Sequence, residues 1–372
     1  MDLLMVLKGT LYVGIASLII MYLCNSLEQG LDFLGRNMSA GAKGALLLAV
    51  ASSLPEIMVS LAFVFSGEPE LILAGAFVTA GSALFNICLI PALSIIYAGD
   101  KNGVPVKEFE LDRKVLYRDT FWLLTIEALF IYFFGMNVFT LGMAVALTLV
   151  YFLYVAHVLF DSHKNNEGCE DYEYEEIDHT ETPKAIAWIG KVLDFNKILF
   201  GNKEFTTKSA LVVSLLAGVG VGVACHFLAE GTVMMSDGLG IPVMIGAAVF
   251  AAGATSLPDT LLSVSAAKNG DYEDAVGNAV GSNIFDTSFA IGVPMVIALI
   301  GGGVLIGQDL SGGLTIEHGD GFMDTVRYFV WGTSAVAGLS LIAMSRKITK
   351  NTAYILLSLY AVWLGYLIYS VV

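Results

Sequence analysis

The chain alternates long apolar runs with shorter polar connections from one end to the other. A helix that crosses the lipid hydrocarbon needs about 20 mostly apolar residues. The N-terminal run lacks a clear small-residue cleavage site, so we expect it to remain as a span. The pattern therefore predicts ten membrane-spanning helices, at 9–28, 43–66, 71–97, 119–136, 138–160, 209–230, 241–267, 275–300, 323–344 and 352–371.

Composition agrees with an all-α integral membrane protein. Hydrophobic residues make up 56% of the 372 residues and charged residues 14%, with a mean hydropathy of +0.74. A soluble protein carries roughly a quarter charged residues. The formal net charge of −15 leaves no basic surface for a phosphate backbone, which excludes nucleic-acid binding. Membrane lipid is the expected partner, and a monomer is the working expectation for the oligomeric state.

The motifs of disulfide frameworks and of common enzymes are missing from the sequence. Its four cysteines, at positions 24, 88, 169 and 225, are far apart and form no CxxC pair. There is no HExxH, no GxSxG and no P-loop. We therefore expect neither an enzyme nor an organic cofactor.

Lysine and arginine set the expected orientation, because cytoplasmic connections carry an excess of them. With ten spans, all but two of the 19 basic residues follow odd-numbered spans, the exceptions being Lys8 and Arg327. Both termini are then expected outside a cell membrane, with the connection 161–208 in the cytoplasm. Its acidic stretch at 170–176 lacks the Asp-x-Asp-x-Asp-Gly pattern of a calcium loop, and we interpret it as a solvated loop.

Two motifs occur twice along the chain. The sequence ASSLPE at 51–56 matches ATSLPD at 254–259, and GSALFN at 81–86 matches GSNIFD at 281–286. A third pair, Cys-x-x-Leu-x-x-Gly, begins at Cys24 and at Cys225. The three offsets are 203, 200 and 201 residues, which indicates that the second half repeats the first.

The repeat predicts two halves of five spans each, 1–160 and 209–372, joined by the 161–208 loop. Because five is odd, the second half enters the membrane from the opposite side. Inverted repeats of this kind are an architecture of secondary transporters, whose binding sites lie near the midplane between the halves.

A proline interrupts each copy of the first motif in the middle of an apolar run. We expect Pro55 to free the carbonyl of Ala51, and Pro258 that of Ala254, because proline has no N–H and clashes with the preceding turn. A freed carbonyl at membrane depth needs a partner, and a bound cation can serve as one.

The repeated polar residues are predicted to form a cluster of oxygen atoms. Ser52 and Ser53 lie on the helix face of Glu56, as Thr255 and Ser256 do for Asp259, while Ser82 and Asn86, like Ser282 and Asp286, are one turn apart. Such ligands favour hard cations such as Ca²⁺, Na⁺, K⁺ or Mg²⁺. Three unpaired carboxylates in the membrane would cost on the order of 8–10 kcal/mol. The spans offer no basic residue at that depth, so we expect a cation or proton there.

Other polar residues within the spans are weaker candidates. Glu127 has no partner in the repeat, and Asn278 and Asn283, beside the second motif, suit helix packing at least as well as ion binding.

The paired SLPE/SLPD and GSxxF[N/D] motifs resemble the alpha repeats of the sodium/calcium exchanger family, within the calcium/cation antiporters. The resemblance is most specific over about 43–96 and 246–294, and it covers the layout of ten transmembrane helices in two inverted five-helix repeats. It implies an antiporter that carries Ca²⁺ and Na⁺.

The resemblance also implies the ligand set. Glu56 and Asp259 would be the central calcium ligands, shared with sodium, and the carbonyls of Ala49 and Ala252 would serve sodium. Asn86 and Asp286 would form a lateral pair. The hydroxyls that would complete the set are those of Ser52, Ser53, Ser82, Thr255, Ser256 and Ser282.

Two departures from the family pattern bear on coupling. The first repeat has Phe77-Val78 where the second has Gly277-Asn278, so ligation or hinge behaviour near the third span is expected to differ. Aspartate at both 259 and 286 resembles the potassium-dependent branch.

Sodium-driven calcium export is the leading hypothesis. A potassium-dependent, proton-coupled or magnesium-selective exchanger is the alternative within transport. A cation channel is the alternative from another class, but its acidic ring would need oligomeric symmetry, whereas the symmetry here is internal. An intramembrane hydrolase ranks third.

Overall fold

The computed structural model of the protein describes residues 1–36, 47, 49–164, 190, 192–201, 204–303, 307, 309–316 and 322–371. The acidic stretch at 170–176 lies outside these residues. Each of the ten predicted spans contains a helix. The helices are α1 (Leu3–Leu34), α2 (Ala49–Ser52), α3 (Leu54–Phe65), α4 (Pro69–Leu84), α5 (Ile90–Tyr97), α6 (Arg113–Phe134), α7 (Leu141–Lys164), α8 (Phe195–Phe200), α9 (Thr207–Leu239), α10 (Val243–Gly246), α11 (Ala252–Thr255), α12 (Leu257–Lys268), α13 (Tyr272–Gly301), α14 (Phe322–Met344) and α15 (Lys350–Val371).

Short elements complete the described chain. A π-helical turn at Phe85–Leu89 joins α4 to α5, and a second at Ala247–Ala251 joins α10 to α11. The strands are β1 (Glu108–Phe109), β2 (Val138–Phe139), β3 (Leu314–Thr315) and β4 (Ile348–Thr349).

The protein is a multi-pass membrane protein. Seven helices of the described chain are long and apolar enough to cross a membrane, or eight if α10 to α12 are one bent span. Of the other two predicted spans, one includes residues outside the described ranges. The other is α6, which carries Arg118, Asp119 and Glu127. The count of ten therefore stays a prediction.

Apolar side chains cover the outer faces of the long helices. On α9, Leu211, Leu215, Val219 and Val223 are 50%, 60%, 67% and 56% exposed. A spacing of four residues places them on one face of the helix. Exposing this row of apolar side chains to water would be unfavourable, so this face of α9 suits contact with lipid tails.

The two strand pairs tie together connections from opposite halves of the chain. β1 pairs with β4, and β2 pairs with β3, both antiparallel. In the predicted ten-span order, β1 and β4 lie in the connections after spans three and nine. β2 lies at the junction of spans four and five, in the first two residues of predicted span five, and β3 follows span eight. Each pair then falls on a single side of the membrane, as the alternation of spans requires.

Glycine permits close contact between the halves at one point in particular. Gly81 on α4 lies against the second π-helical turn, and a Cβ atom built on Gly81 would collide with the backbone carbonyl of Ala248. Its repeat counterpart, Gly281 on α13, has open space, with nothing within 4 Å of such a Cβ. Equivalent glycines therefore differ in how tightly they are packed.

We expect Gly81→Ala to destabilise the protein and Gly281→Ala to be tolerated. Overpacking costs about 1–3 kcal/mol, and here the obstacle is backbone, which cannot rotate away. In an open helical position, alanine instead favours the helix by about 0.5–1 kcal/mol. Thermal unfolding of both variants in the same detergent and at the same scan rate checks this. Equal unfolding temperatures for the two variants would contradict the packing described.

Candidate cation-binding site

Two broken helices place Glu56 and Asp259 inside the protein. Between α2 and α3, Ser53 has ψ of 9°, and between α11 and α12, Ser256 has ψ of 2°, both away from the helical value. Proline is the second residue of the new helix in each case, and the second break bends the chain by 43°. The broken helices expected from the sequence are therefore present, centred on the two serines.

Each of these carboxylates lies in the first turn of the helix that follows its break. The N-terminal turn of a helix carries partial positive charge and N–H groups without helical partners. Glu56 and Asp259 are fully buried, at 0% exposure. The helix starts therefore supply local stabilisation for negative charge far from water.

The second motif brings its residues to the same place from α4, the first π-helical turn and α13. Ser82, Asn86, Ser282 and Asp286 are all 0% exposed. With Ser52, Ser53, Glu56, Thr255, Ser256 and Asp259, which are equally buried, they form what we call the oxygen cluster. The structure therefore collects from four segments the side chains that the sequence singled out.

Ser82 connects the two halves within the oxygen cluster. Its Oγ donates to Glu56 Oε1 at 3.2 Å and to Asp286 Oδ2 at 2.8 Å, as alternative orientations of one hydroxyl. It also lies 2.8 Å from Ser256 Oγ. Asn86 Nδ2 donates to Asp286 Oδ2 at 2.9 Å, so the predicted lateral pair is in direct contact.

Ser282 plays the corresponding part in the second half. Its Oγ donates to Asp259 Oδ1 at 3.0 Å, which matches the contact between Ser82 and Glu56 under the repeat. It also lies 3.4 Å from Ser52 Oγ. In each half, a serine of the second motif thus orients the carboxylate of the first.

Five oxygens of the oxygen cluster are buried without a hydrogen-bond partner within the described chain. Buried polar atoms are nearly always paired, so each exception needs an explanation. Three of the five belong to carboxylates, one to an amide and one to a hydroxyl group. They are Ser53 Oγ, Glu56 Oε2, Asn86 Oδ1, Asp259 Oδ2 and Asp286 Oδ1.

Serine hydroxyl groups lie between the carboxylates of the oxygen cluster and donate hydrogen bonds to them. Within the described ranges, no three His, Cys, Asp or Glu side chains are grouped closely enough to hold a metal ion by themselves. A cation here would need the serine and threonine hydroxyls as well as the carboxylates. Such mixed, neutral and charged oxygen ligands are typical of Ca²⁺ and of the alkali ions.

Two backbone carbonyls near the second helix break have hydrogen-bond donors within the protein. The carbonyl of Ala254, which Pro258 was expected to free for a cation, accepts a hydrogen bond from Ser17 Oγ at 3.4 Å. The carbonyl of Ala252 accepts both Thr255 Oγ1 at 3.1 Å and the N–H of Ser256 at 3.0 Å. A carbonyl oxygen has two lone pairs, so the role of these carbonyls as cation ligands stays a prediction. For Ala49, only the backbone at the start of α2 is described.

Sequence reasoning missed Glu28 on α1. Its carboxylate lies within electrostatic reach of Asp259, which makes it a further acidic group beside the oxygen cluster. An acidic residue near the end of the first apolar run was the available signal. Asn283 Nδ2 donates to the carbonyl of Ala83 at 3.0 Å, and Asn278 Nδ2 contacts Ser263 Oγ at 3.1 Å. The amide N–H of Asn283 thus joins the two halves, while its Oδ1 is buried without a hydrogen-bond partner within the described chain.

Sequence comparison connects both halves of the chain to known proteins. The profile of the family described as "Sodium/calcium exchanger protein" matches residues 8–160 and 209–369. A protein named as an antiporter, CaxA of Alkalimonas amylolytica, is 27% identical over 299 residues, covering 78% of this chain and 82% of CaxA.

Solved structures share the fold. The crystal structure of a H⁺/Ca²⁺ exchanger, CAX, aligns with a TM-score of 0.67 at 18% identity, covering 97% of this chain and 81% of that one. A sodium-calcium exchanger, NCX_Mj, aligns with a TM-score of 0.56 at 20% identity, covering 97% and 99% of the two chains. At such identities these likenesses establish the fold alone.

Proposed function

Because the chain belongs to the sodium/calcium exchanger protein family, we propose that it is a secondary active antiporter that exchanges calcium for sodium across the cell membrane. The exchange proceeds by alternating access, with the oxygen cluster open to one side at a time. Both halves of the chain contribute ligands to the single site.

The observation that carries this proposal is the set of five buried oxygens in the oxygen cluster that have no hydrogen-bond partner within the described chain. Lining up such atoms away from water is unfavourable unless a ligand satisfies them. A cation bound among them would be a partner for these oxygens, and the first-turn positions of Glu56 and Asp259 would stabilise their negative charges beside it. A purely structural network would be expected to pair these oxygens within the protein.

Charge explains why two different ions can share the site. Glu56, Asp259 and Asp286 offer at most three negative charges, which suits one Ca²⁺ or up to three Na⁺ ions. Since one set of oxygens serves both, the two ions compete, and binding of one excludes the other. Exchange follows when the site reopens on the opposite side with a different occupant.

The proposed architecture is two inverted five-helix halves, 1–160 and 209–372, around this site. Each strand pair joins segments of the two halves that the ten-span order puts on the same side of the membrane. These pairs therefore support ten spans that alternate in direction. We place both termini outside the cell and the 161–208 loop in the cytoplasm, from the distribution of lysine and arginine. A monomer suffices for this mechanism, because the chain itself supplies both halves of the site.

Proton coupling is the second candidate. The fold likeness to an exchanger whose counter-ion is H⁺ supports it, as does a third carboxylate in the cluster that can carry a proton. Potassium dependence rests on the aspartates at 259 and 286. In both cases the calcium ligands are the same and only the counter-ion differs.

Calcium flux into proteoliposomes tests the proposal. We expect an outward sodium gradient to drive calcium uptake, with no uptake into vesicles that contain no sodium. Calcium uptake that is driven by a proton gradient, or that requires potassium as well as sodium, would identify the alternative exchangers. Uptake that needs no counter-ion gradient and carries current would instead indicate a channel, and would overturn the proposal.

A further inference from the structure

Glu127 is a buried carboxyl group that the oxygen cluster does not use. It lies on α6, in the first half of the chain, and is 0% exposed. Its hydrogen-bond partner is Ser334 on α14, in the second half, and Ser334 is also 0% exposed. The pair therefore bridges the two halves at a point separate from the cluster.

The two oxygens of Glu127 have different surroundings. Ser334 Oγ donates to Oε1 at 2.7 Å. Oε2 is buried and has no hydrogen-bond partner within the described chain. Oε1 is therefore the hydrogen-bond acceptor of the carboxyl group. Oε2 is the oxygen that can carry the proton of a neutral carboxylic acid.

The positively charged side chain nearest to Glu127 along α14 is directed to another partner. Arg327 on α14 donates from Nη1 to the carbonyl of Ile131 at 2.8 Å, one helical turn beyond Glu127. Ser334 lies seven residues further along α14, or roughly 10 Å along its axis. Among the described residues, no ion pair includes Glu127. The charge of an ionised Glu127 would therefore lack a direct partner.

The remaining ionisable groups around α6 face other positions or are weak acids. On α7, His157 accepts from Trp122 and Asp161 accepts from Arg118, both towards the start of α6. On α13, Glu273 lines a cavity beside the start of α6, while Asp286 faces Ser82. On the first π-helical turn, Cys88 lies within electrostatic reach of Glu127. None of these supplies a positive charge at the Glu127 carboxyl group.

We propose that Glu127 is a proton-binding site, distinct from the transported-ion site, and that it holds a proton on Oε2 in the exchange-competent protein. A buried carboxylate without a countercharge is strongly unfavourable, whereas a neutral carboxylic acid is not. The hydrogen bond from Ser334 fits the neutral acid, whose carbonyl oxygen accepts it. Loss of the proton would place an unpaired charge between α6 and α14, and so between the two halves.

Infrared spectroscopy of the purified protein in lipid tests the proton directly. We expect wild type at neutral pH to show a carboxylic-acid carbonyl band that Glu127→Gln lacks. Ser334→Ala should shift that band, because it removes the hydrogen bond to Oε1. Trp331→Phe is the matched control, since Trp331 Nε1 contacts the carbonyl of Leu124 across the same pair of helices at 3.2 Å. The band in this control should be unchanged.

Transport of the same variants gives an independent readout. Glu127→Gln should keep calcium exchange within about twofold of wild type at neutral pH, because glutamine is also neutral. As the pH is raised, loss of the band in wild type should coincide with loss of exchange, while Glu127→Gln continues to exchange.

Three results would overturn the proposal. The first is an ionised carboxylate band assigned to Glu127 at neutral pH. The second is a folded Glu127→Gln that loses exchange about tenfold or more. The third is a parallel alkaline decline in wild type and Glu127→Gln. Because the infrared band does not depend on which ions are exchanged, this test is separate from that of the proposed function.

Discussion

Glu56→Gln and Asp259→Asn should each abolish sodium-driven calcium uptake while the protein stays folded. Each change keeps the shape of the side chain and an oxygen that can accept from Ser82 or Ser282, but removes a buried charge. At about 4 Å and an effective dielectric constant of about 20, each unit charge contributes roughly 4 kcal/mol per charge on the cation. Calcium affinity should therefore fall by on the order of 10³ or more.

The matched control for these variants is Ser60→Ala. Ser60 is buried on the same helix as Glu56, one turn further on, but its Oγ donates to the carbonyl of Gly75 at 3.0 Å and not to the oxygen cluster. It should keep most of the uptake. Uptake by either carboxylate variant at the level of the control would remove Glu56 or Asp259 from the site.

Asp286→Asn should keep calcium binding and change the response to the counter-ion. The repeat counterpart of Asp286 is Asn86, so an amide already occupies the equivalent position in the other half. The amide oxygen can still accept from Ser82 and Asn86, which now contact Oδ2 at 2.8 and 2.9 Å. Glu56 and Asp259 supply the two charges that match one Ca²⁺, and we expect Asp286 to be protonated when calcium is bound, so the amide removes no charge from that state. A set of three monovalent ions instead loses its third charge.

Calcium exchange by Asp286→Asn, measured against sodium, potassium and pH, checks this division of roles. We expect near-normal calcium binding with an altered dependence on one of the three. If calcium binding is lost as completely as in Glu56→Gln, Asp286 is itself a calcium ligand and the division is wrong.

The sequence could predict that these residues lie together because its signals are local. Proline in the middle of an apolar run breaks a helix wherever that helix packs, and acidic residues in such runs have few stable surroundings. The repeat then indicated that residues some 200 positions apart belong together. The contacts of Ser82 with Asp286 and Ser256 agree with that expectation.

What the sequence could not predict depends on which helices are neighbours. Ser17 reaches the carbonyl of Ala254 only because α1 packs beside the second helix break. The pair of Glu127 and Ser334 likewise follows from contact between α6 and α14. Periodicity reports which face of a helix is apolar, but it does not identify the partner of that face.

Measuring how sodium competes with calcium for binding to the purified protein tests the central claim most directly. The claim is that one oxygen cluster, built from both halves, binds both ions in turn. We expect wild type to bind calcium, added sodium to displace it completely, and the double variant of Glu56→Gln and Asp259→Asn to bind none. Calcium binding that persists in the double variant, or that saturating sodium leaves unchanged in wild type, would contradict a single shared site.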